Sequence, residues 1–225
     1  TQSPIEKGHI LIKEGKIFAV KEGFDIPSNV EVIDAKTMIA FPGIIDPHCH
    51  ASVFEEEIGL GLQDGNEATD PITPHVRVLD AINPADKGLR RAVSGGLTTI
   101  CVAPGSANVI GGLMTTIKTA GKIVDEMIVT QTAGMKCAFG ENPKRVYGSQ
   151  KKMPSTRMGN LALFRQFMVD TQNYMKKWHE YGLKLEQYQE SLTPGEKSKD
   201  DNKNSKDMIP PTPPDRNLKY EAMAE

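Results

Sequence analysis

The sequence predicts an α/β chain, with a small β unit leading into short apolar strands that alternate with helices, the pattern of a parallel sheet or a (β/α) barrel. Three observations carry this. Apolar runs around the turn signal Glu14-Gly15 fill the start of the chain. Short apolar strands and helical segments then alternate from Gly43 to about residue 140. A three- and four-residue periodicity begins near Ser155.

Ile10-Leu11-Ile12 and Ile17-Phe18-Ala19-Val20 flank Glu14-Gly15 and read as two strands. Val30-Glu31-Val32-Ile33 alternates and Met38-Ile39-Ala40-Phe41 follows, so two more strands are expected before Pro42-Gly43. So few strands cannot bury a core alone. Ile44-Ile45-Asp46 opens the second pattern. Residues 84–94 read as a helix ended by Gly95-Gly96, residues 97–102 as a buried strand, and residues 133–139 as another. Residues 117–124 fit a helix or a strand. Ser155 is suited to capping. After it, Leu161, Phe164, Met168, Met175, Trp178, Tyr181, Leu185 and Tyr188 recur at helical spacing as a packing stripe, which Gly182 could interrupt. Charge and proline across 194–214 predict a mobile insertion, and Asp215 would cap a last helix through Tyr220 and Met223. The domain division is 1–41 and 42–225.

Composition narrows the function classes. With 27 basic and 29 acidic residues the chain carries no basic stripe for nucleic acid, and no apolar run approaches the roughly 20 residues that span a bilayer. Signal-peptide features are missing, although Thr1 in place of Met leaves the true start open. Cys49, Cys101 and Cys137 are odd in number and lie in apolar segments, which predicts buried thiols in a reducing, cytoplasmic setting.

The strongest chemical signal is Phe41-Pro42-Gly43-Ile44-Ile45-Asp46-Pro47-His48-Cys49-His50. Alternation along a strand puts Asp46, His48 and His50 on one face and Cys49 on the other. Two imidazoles about 7 Å apart can close on one divalent ion, and neutral imidazole suits zinc, iron or nickel. The apolar run ahead of them places the pair at the C-terminal end of a strand, where barrel enzymes keep their active sites. An isolated His-x-His also arises by chance; the preceding Pro-Gly-x-Ile-Asp makes this one specific.

The run resembles the Pro-Gly-x-Ile-Asp-x-His-x-His signature of the amidohydrolase superfamily, and most of all its imidazolonepropionase-related branch, over about the first 150 residues. That resemblance implies a small N-terminal β-sandwich portion ahead of a distorted (β/α)8 TIM-type barrel. It also implies hydrolysis of a carbon–nitrogen bond outside ordinary peptides, in a cyclic or small amide. The metal would be a divalent ion, zinc first, with iron, manganese or nickel as alternatives. His48 and His50 would be metal ligands, with Asp46 acting behind them. A middle-strand carboxylate or carbamylated lysine would complete the centre: Glu141 fits by position, Lys136 by residue type. Two later histidines and a last-strand aspartate have no counterpart here, so the chain is expected to be an incomplete barrel, weak in metal binding and inactive alone. A small-molecule substrate is the expected partner, with no nucleic acid and no membrane; a homo-oligomer stays open. The same superfamily includes non-catalytic assembly proteins, the alternative reading.

Two weaker signals remain. Ala103-Pro104-Gly105-Ser106-Ala107-Asn108-Val109-Ile110-Gly111-Gly112 follows a strand and could offer backbone N–H groups to a substrate carboxylate, or be a plain flexible loop. His75 could reach the same rim, but it has no partner in sequence.

Overall fold

Glu14 and Gly15 both take positive φ, 53° and 72°, and the two-residue turn they form folds Gly8–Lys13 (β1) back on Lys16–Glu22 (β2) as an antiparallel hairpin. The computed structural model describes residues 3–23, 25–56, 63–192 and 209–224, and the chain divides into two units, Thr1–Pro42 and Gly43–Glu225. Among the described residues of the first unit this hairpin is the whole sheet. The strands expected at 30–33 and 38–41 are irregular, and Ile33 and Ile39 are 81% and 88% exposed. Their alternation finds no neighbouring strand to pair with, so the pattern has no ladder to express it.

In the second unit the strands Ile44–Cys49 (β3), Leu97–Val102 (β4), Ile110–Lys118 (β5) and Ile128–Cys137 (β6) form one sheet in the order β3-β4-β5-β6. β3 and β4 pair in parallel, as expected, with helix Lys87–Ser94 (α1) between them in sequence. β5 departs from the expected parallel sheet: it runs antiparallel to both β4 and β6. Residues 103–109 are too few for a parallel crossover, which takes a dozen or more residues, so the chain must return antiparallel. The segment expected to be helix or strand at 117–124 ends β5 and leads into the single-turn helix Val124–Met127 (α2).

One consequence positions the site. β3, β4 and β6 all run the same way, so their C-terminal ends and the N-terminal end of β5 gather along one edge of the sheet. Below that edge Ile100, Val102 and Ile117 pack with Val53, Val78, Leu89 and Met127. Thr99 and Cys101 are buried as well, so β4 is covered on both faces. A second cluster joins Ile72, Val109 and Ile110 to Phe167.

Helices Glu141–Ser149 (α3), Arg157–Leu192 (α4) and Leu218–Ala224 (α5) complete the described chain. α4 begins after Thr156, whose hydroxyl accepts the Gly159 N–H, and it passes Gly182 without a break. Its core-facing row is Asn160, Phe164, Phe167, Thr171 and Tyr174. Leu161 and Met175 of the expected stripe point outward, 46% and 48% exposed. Two polar residues enter that row through hydrogen bonds: Asn160 Nδ2 donates to Phe139 O (2.7 Å) and Thr171 Oγ1 to Phe167 O (2.9 Å), while the buried Asn160 Oδ1 finds no partner among the described residues. Asn217, not Asp215, caps α5, its Oδ1 accepting the Lys219 N–H. Of the insertion expected at 194–214, residues up to 208 lie outside the described residues. Among the described residues no helix is long and apolar enough to cross a membrane.

Candidate functional site

Pro47 has no N–H to give the β3–β4 ladder, and the register shifts between Asp46 and Cys49. Asp46 steadies the interrupted backbone, its Oδ1 accepting the His48 N–H at 3.0 Å. The ladder resumes at Cys49, which pairs with Val102 and packs against the core. On either side of it the rings of His48 and His50 come to 5.2 Å between centroids, nearly perpendicular at 85°. The turn after His50 is held from below by Asp86. That buried carboxylate accepts the N–H of Ser52 (2.9 Å) and of Glu56 (3.2 Å), and it caps α1 through Gly88 N–H (3.1 Å).

Each imidazole has a distinct partner. His50 Nδ1 lies 2.8 Å from Ala103 O. A carbonyl only accepts, so Nδ1 carries a proton, which in the neutral ring leaves Nε2 with its lone pair. Phe54 packs edge-on against the same ring at 5.6 Å. His48 Nε2 lies 3.1 Å from Lys136 Nζ. The charge of Lys136, more than burial or the neighbouring His50, holds the His48 imidazole below its ordinary range, and Asp46 opposes the shift. Burial lowers Lys136 itself from the usual lysine range.

The structure therefore brings Lys136, not Glu141, to the histidine pair. Glu141 is the first residue of α3, and its 83% exposed side chain accepts from Lys144 Nζ at 2.7 Å. That hydrogen bond and the charge behind it hold the carboxyl below the usual glutamate range. Among the described residues Glu141 makes no hydrogen bond to either imidazole. An i,i+3 lysine on its own helix is a nearer partner than anything on the sheet. His75 and His179 are exposed, and neither joins the pair. Among the described residues no group of three or more His, Cys, Asp or Glu is assembled to hold a metal ion.

The glycine-containing rim segment is neither an open anion cradle nor a plain flexible loop. Apart from half-buried Ser106 it is buried from Ala103 to Gly112. Gly105 N–H donates to Gly65 O (2.6 Å) and Ala107 N–H to Asn66 Oδ1 (2.9 Å), so these donors are committed inside the fold. Gly112 takes φ +123°, and a Cβ there would meet Val76 O at 2.3 Å. Asp86, Asn108 and the Ala103 carbonyl escape a reading of the sequence, because their roles depend on partners 30 or more residues away.

No protein-family model matches the sequence. An amidohydrolase crystal structure from Thermotoga maritima MSB8 superposes with a TM-score of 0.75 at 41% identity, over 95% of this chain and 49% of that one. The chain belongs to the amidohydrolase superfamily. It is 36% identical over 173 residues to the amidohydrolase tasK of Hapsidospora irregularis, which covers 71% of this chain and 18% of that protein. It is 45% identical over 62 residues to the imidazolonepropionase of Thermoanaerobacter pseudethanolicus, 26% of this chain and 15% of that protein. The chain thus spans about half the length of its solved superfamily relative and a smaller share of these curated ones.

Proposed function

We propose that this chain carries the first part of the metal centre of a hydrolase acting on a carbon–nitrogen bond other than a peptide, in a small or cyclic amide. The sheet edge bearing the centre would be the mouth of a (β/α)8 barrel behind a β-sandwich portion. One observation carries the reading: two imidazoles 5.2 Å apart at the end of β3, with a lysine amine 3.1 Å from one of them.

The donor set fits part of a metal site. His50 is oriented through Nδ1 with Nε2 available, the usual arrangement of a ligating histidine. A ligating histidine must be neutral, and the Lys136 charge opposes protonation of His48 for as long as that amine keeps its own proton. These two imidazoles would hold a divalent ion, zinc in the first place, with iron and nickel also suited to imidazole and manganese favoured only by a carboxylate-like third donor. Asp46 acts behind them by fixing the His48 backbone. An ammonium at Lys136 and a cation on His48 Nε2 exclude each other, so the amine must be neutral when the ion is held. A neutral Nζ can add to carbon dioxide, forming an N–C bond and releasing a proton, and the resulting carbamate is a carboxylate-like third donor. Glu141 is the alternative third donor and would first have to leave Lys144. A bound divalent ion supplies Lewis acidity and brings the pKa of a water toward about 7. Three free cysteines suit a reducing compartment.

Metal analysis of the purified protein and of its His48→Ala/His50→Ala variant tests this. The variant should lose most of the bound metal. Equal metal content in the two proteins refutes the assignment.

A further inference from the structure

β4 and β5 are antiparallel neighbours, and a two-residue turn is enough to join such strands. The chain instead uses residues 103–109, almost all buried, with Asn108 as their hub. Asn108 is 2% exposed. Its Nδ2 donates to Glu67 O (2.7 Å) and Thr73 Oγ1 (2.8 Å), and its Oδ1 accepts the Tyr147 O–H at 2.6 Å. Tyr147 comes from α3 and is fully buried. Thr73 passes the connection on, its N–H and its hydroxyl both donating to Ile110 O (2.9 and 3.1 Å). At the other end of the segment Ala103 N–H donates to Cys49 O (3.0 Å), and its carbonyl accepts the hydrogen bond from His50 Nδ1–H (2.8 Å). A buried amide with all these partners is stable in one geometry only, because moving it strands polar groups in a low dielectric.

We infer that Asn108, clamped by Tyr147 and Thr73, is a positioning residue for His50: it fixes the segment whose Ala103 carbonyl selects the His50 tautomer. The control of the tautomer stands on geometry alone; its use in holding a metal rests on the function proposed above. The two parts separate experimentally.

The test is a two-bond 1H–15N spectrum of the histidine-labelled chain at a pH where imidazoles are neutral, paired with zinc titration of the same samples. The original chain should show His50 as the Nδ1–H tautomer. Tyr147→Phe removes one hydroxyl while keeping the ring, and Thr73→Val removes another. In each, the Nε2–H population of His50 should rise several-fold, with His75 unchanged as an internal control. Thr73→Ser keeps the hydroxyl and should restore the original spectrum. Zinc affinity should fall about tenfold or more where the tautomer shifts, as for other groups that orient a ligand from behind. Asn108→Asp, which loses both donors, should show the largest change; if it does not fold, the tyrosine and threonine variants decide. An unchanged His50 tautomer in folded Tyr147→Phe and Thr73→Val overturns the inference. A shifted tautomer with undiminished zinc binding upholds it and removes the metal reading instead.

Discussion

Lys136 Nζ on β6 lies 3.1 Å from His48 Nε2 on β3, although β4 and β5 stand between those strands in the sheet. The contact exists because β5 outruns β4. Val102, the last residue of β4, pairs with Thr115, whereas Gly112, nearer the start of β5, pairs with Lys136. Past the end of β4 a long side chain from β6 reaches over to β3.

This pair sets a pH dependence. His48 is held below its ordinary 6.5, first of all by Lys136. As pH falls through about 6.5 the unfolded chain therefore takes up a proton that the folded chain resists, and stability declines until the folded imidazole is also protonated. Lys136→Met should move the His48 titration upward toward 6.5 and flatten that decline. Histidine NMR titration with denaturant midpoints at several pH values reads both. A His48 midpoint that stays put or moves down contradicts the pairing.

Asp86 supports the turn behind the histidines through two backbone N–H groups, Ser52 and Glu56, and caps α1 through a third, Gly88. Asp86→Ala strands buried donors and removes a helix cap, so it should cost about 3 kcal/mol. Asp86→Asn keeps an acceptor oxygen and should cost less. Urea unfolding decides, and a loss below about 1 kcal/mol for the alanine variant would mean that water replaces the carboxylate.

Two glycines should answer in opposite directions. Gly112 combines φ +123° with Val76 O in the way of a Cβ, so Gly112→Ala should destabilise by about 2 kcal/mol or more. Gly182 lies inside α4 with open space around it, so Gly182→Ala should stabilise by about 0.5–1 kcal/mol. Thermal melts of the two variants would show the contrast, and equal effects would falsify it.

Core and edge of the sheet should differ as sharply. Ile117 is fully buried on β5, and Ile117→Ala should lose about 2–5 kcal/mol. Ile45 on the edge strand β3 is 66% exposed, and Ile45→Ala in this chain should fall within about 0.5 kcal/mol of the original. A large loss at Ile45 would show that something covers β3.

Some of this was legible in the residues. Glu14-Gly15 announces its hairpin, since two positive-φ residues between apolar runs have few other uses. Leu97 to Val102 reads as a doubly covered strand because its apolar run does not alternate. The spacing of His48 and His50 marks the candidate site, a periodicity of the strand itself. Other signals misled. Val30 to Ile33 has the alternation of a strand and no partner strand among the described residues, and Leu161 and Met175 fit a packing stripe yet point outward.

Sequence alone thus determined the local choices: where the chain turns, which runs extend or coil, and that the imidazoles of His48 and His50 belong together. These follow from backbone sterics and short periodicities, which act over a few residues. Only the folded chain decided that Lys136 rather than Glu141 meets His48, that the Ala103 carbonyl stands behind His50, and that Asn108 joins Glu67, Thr73 and Tyr147. Each of those depends on groups dozens of residues apart being packed to within 3 Å or so of one another, and no local pattern encodes such a distance.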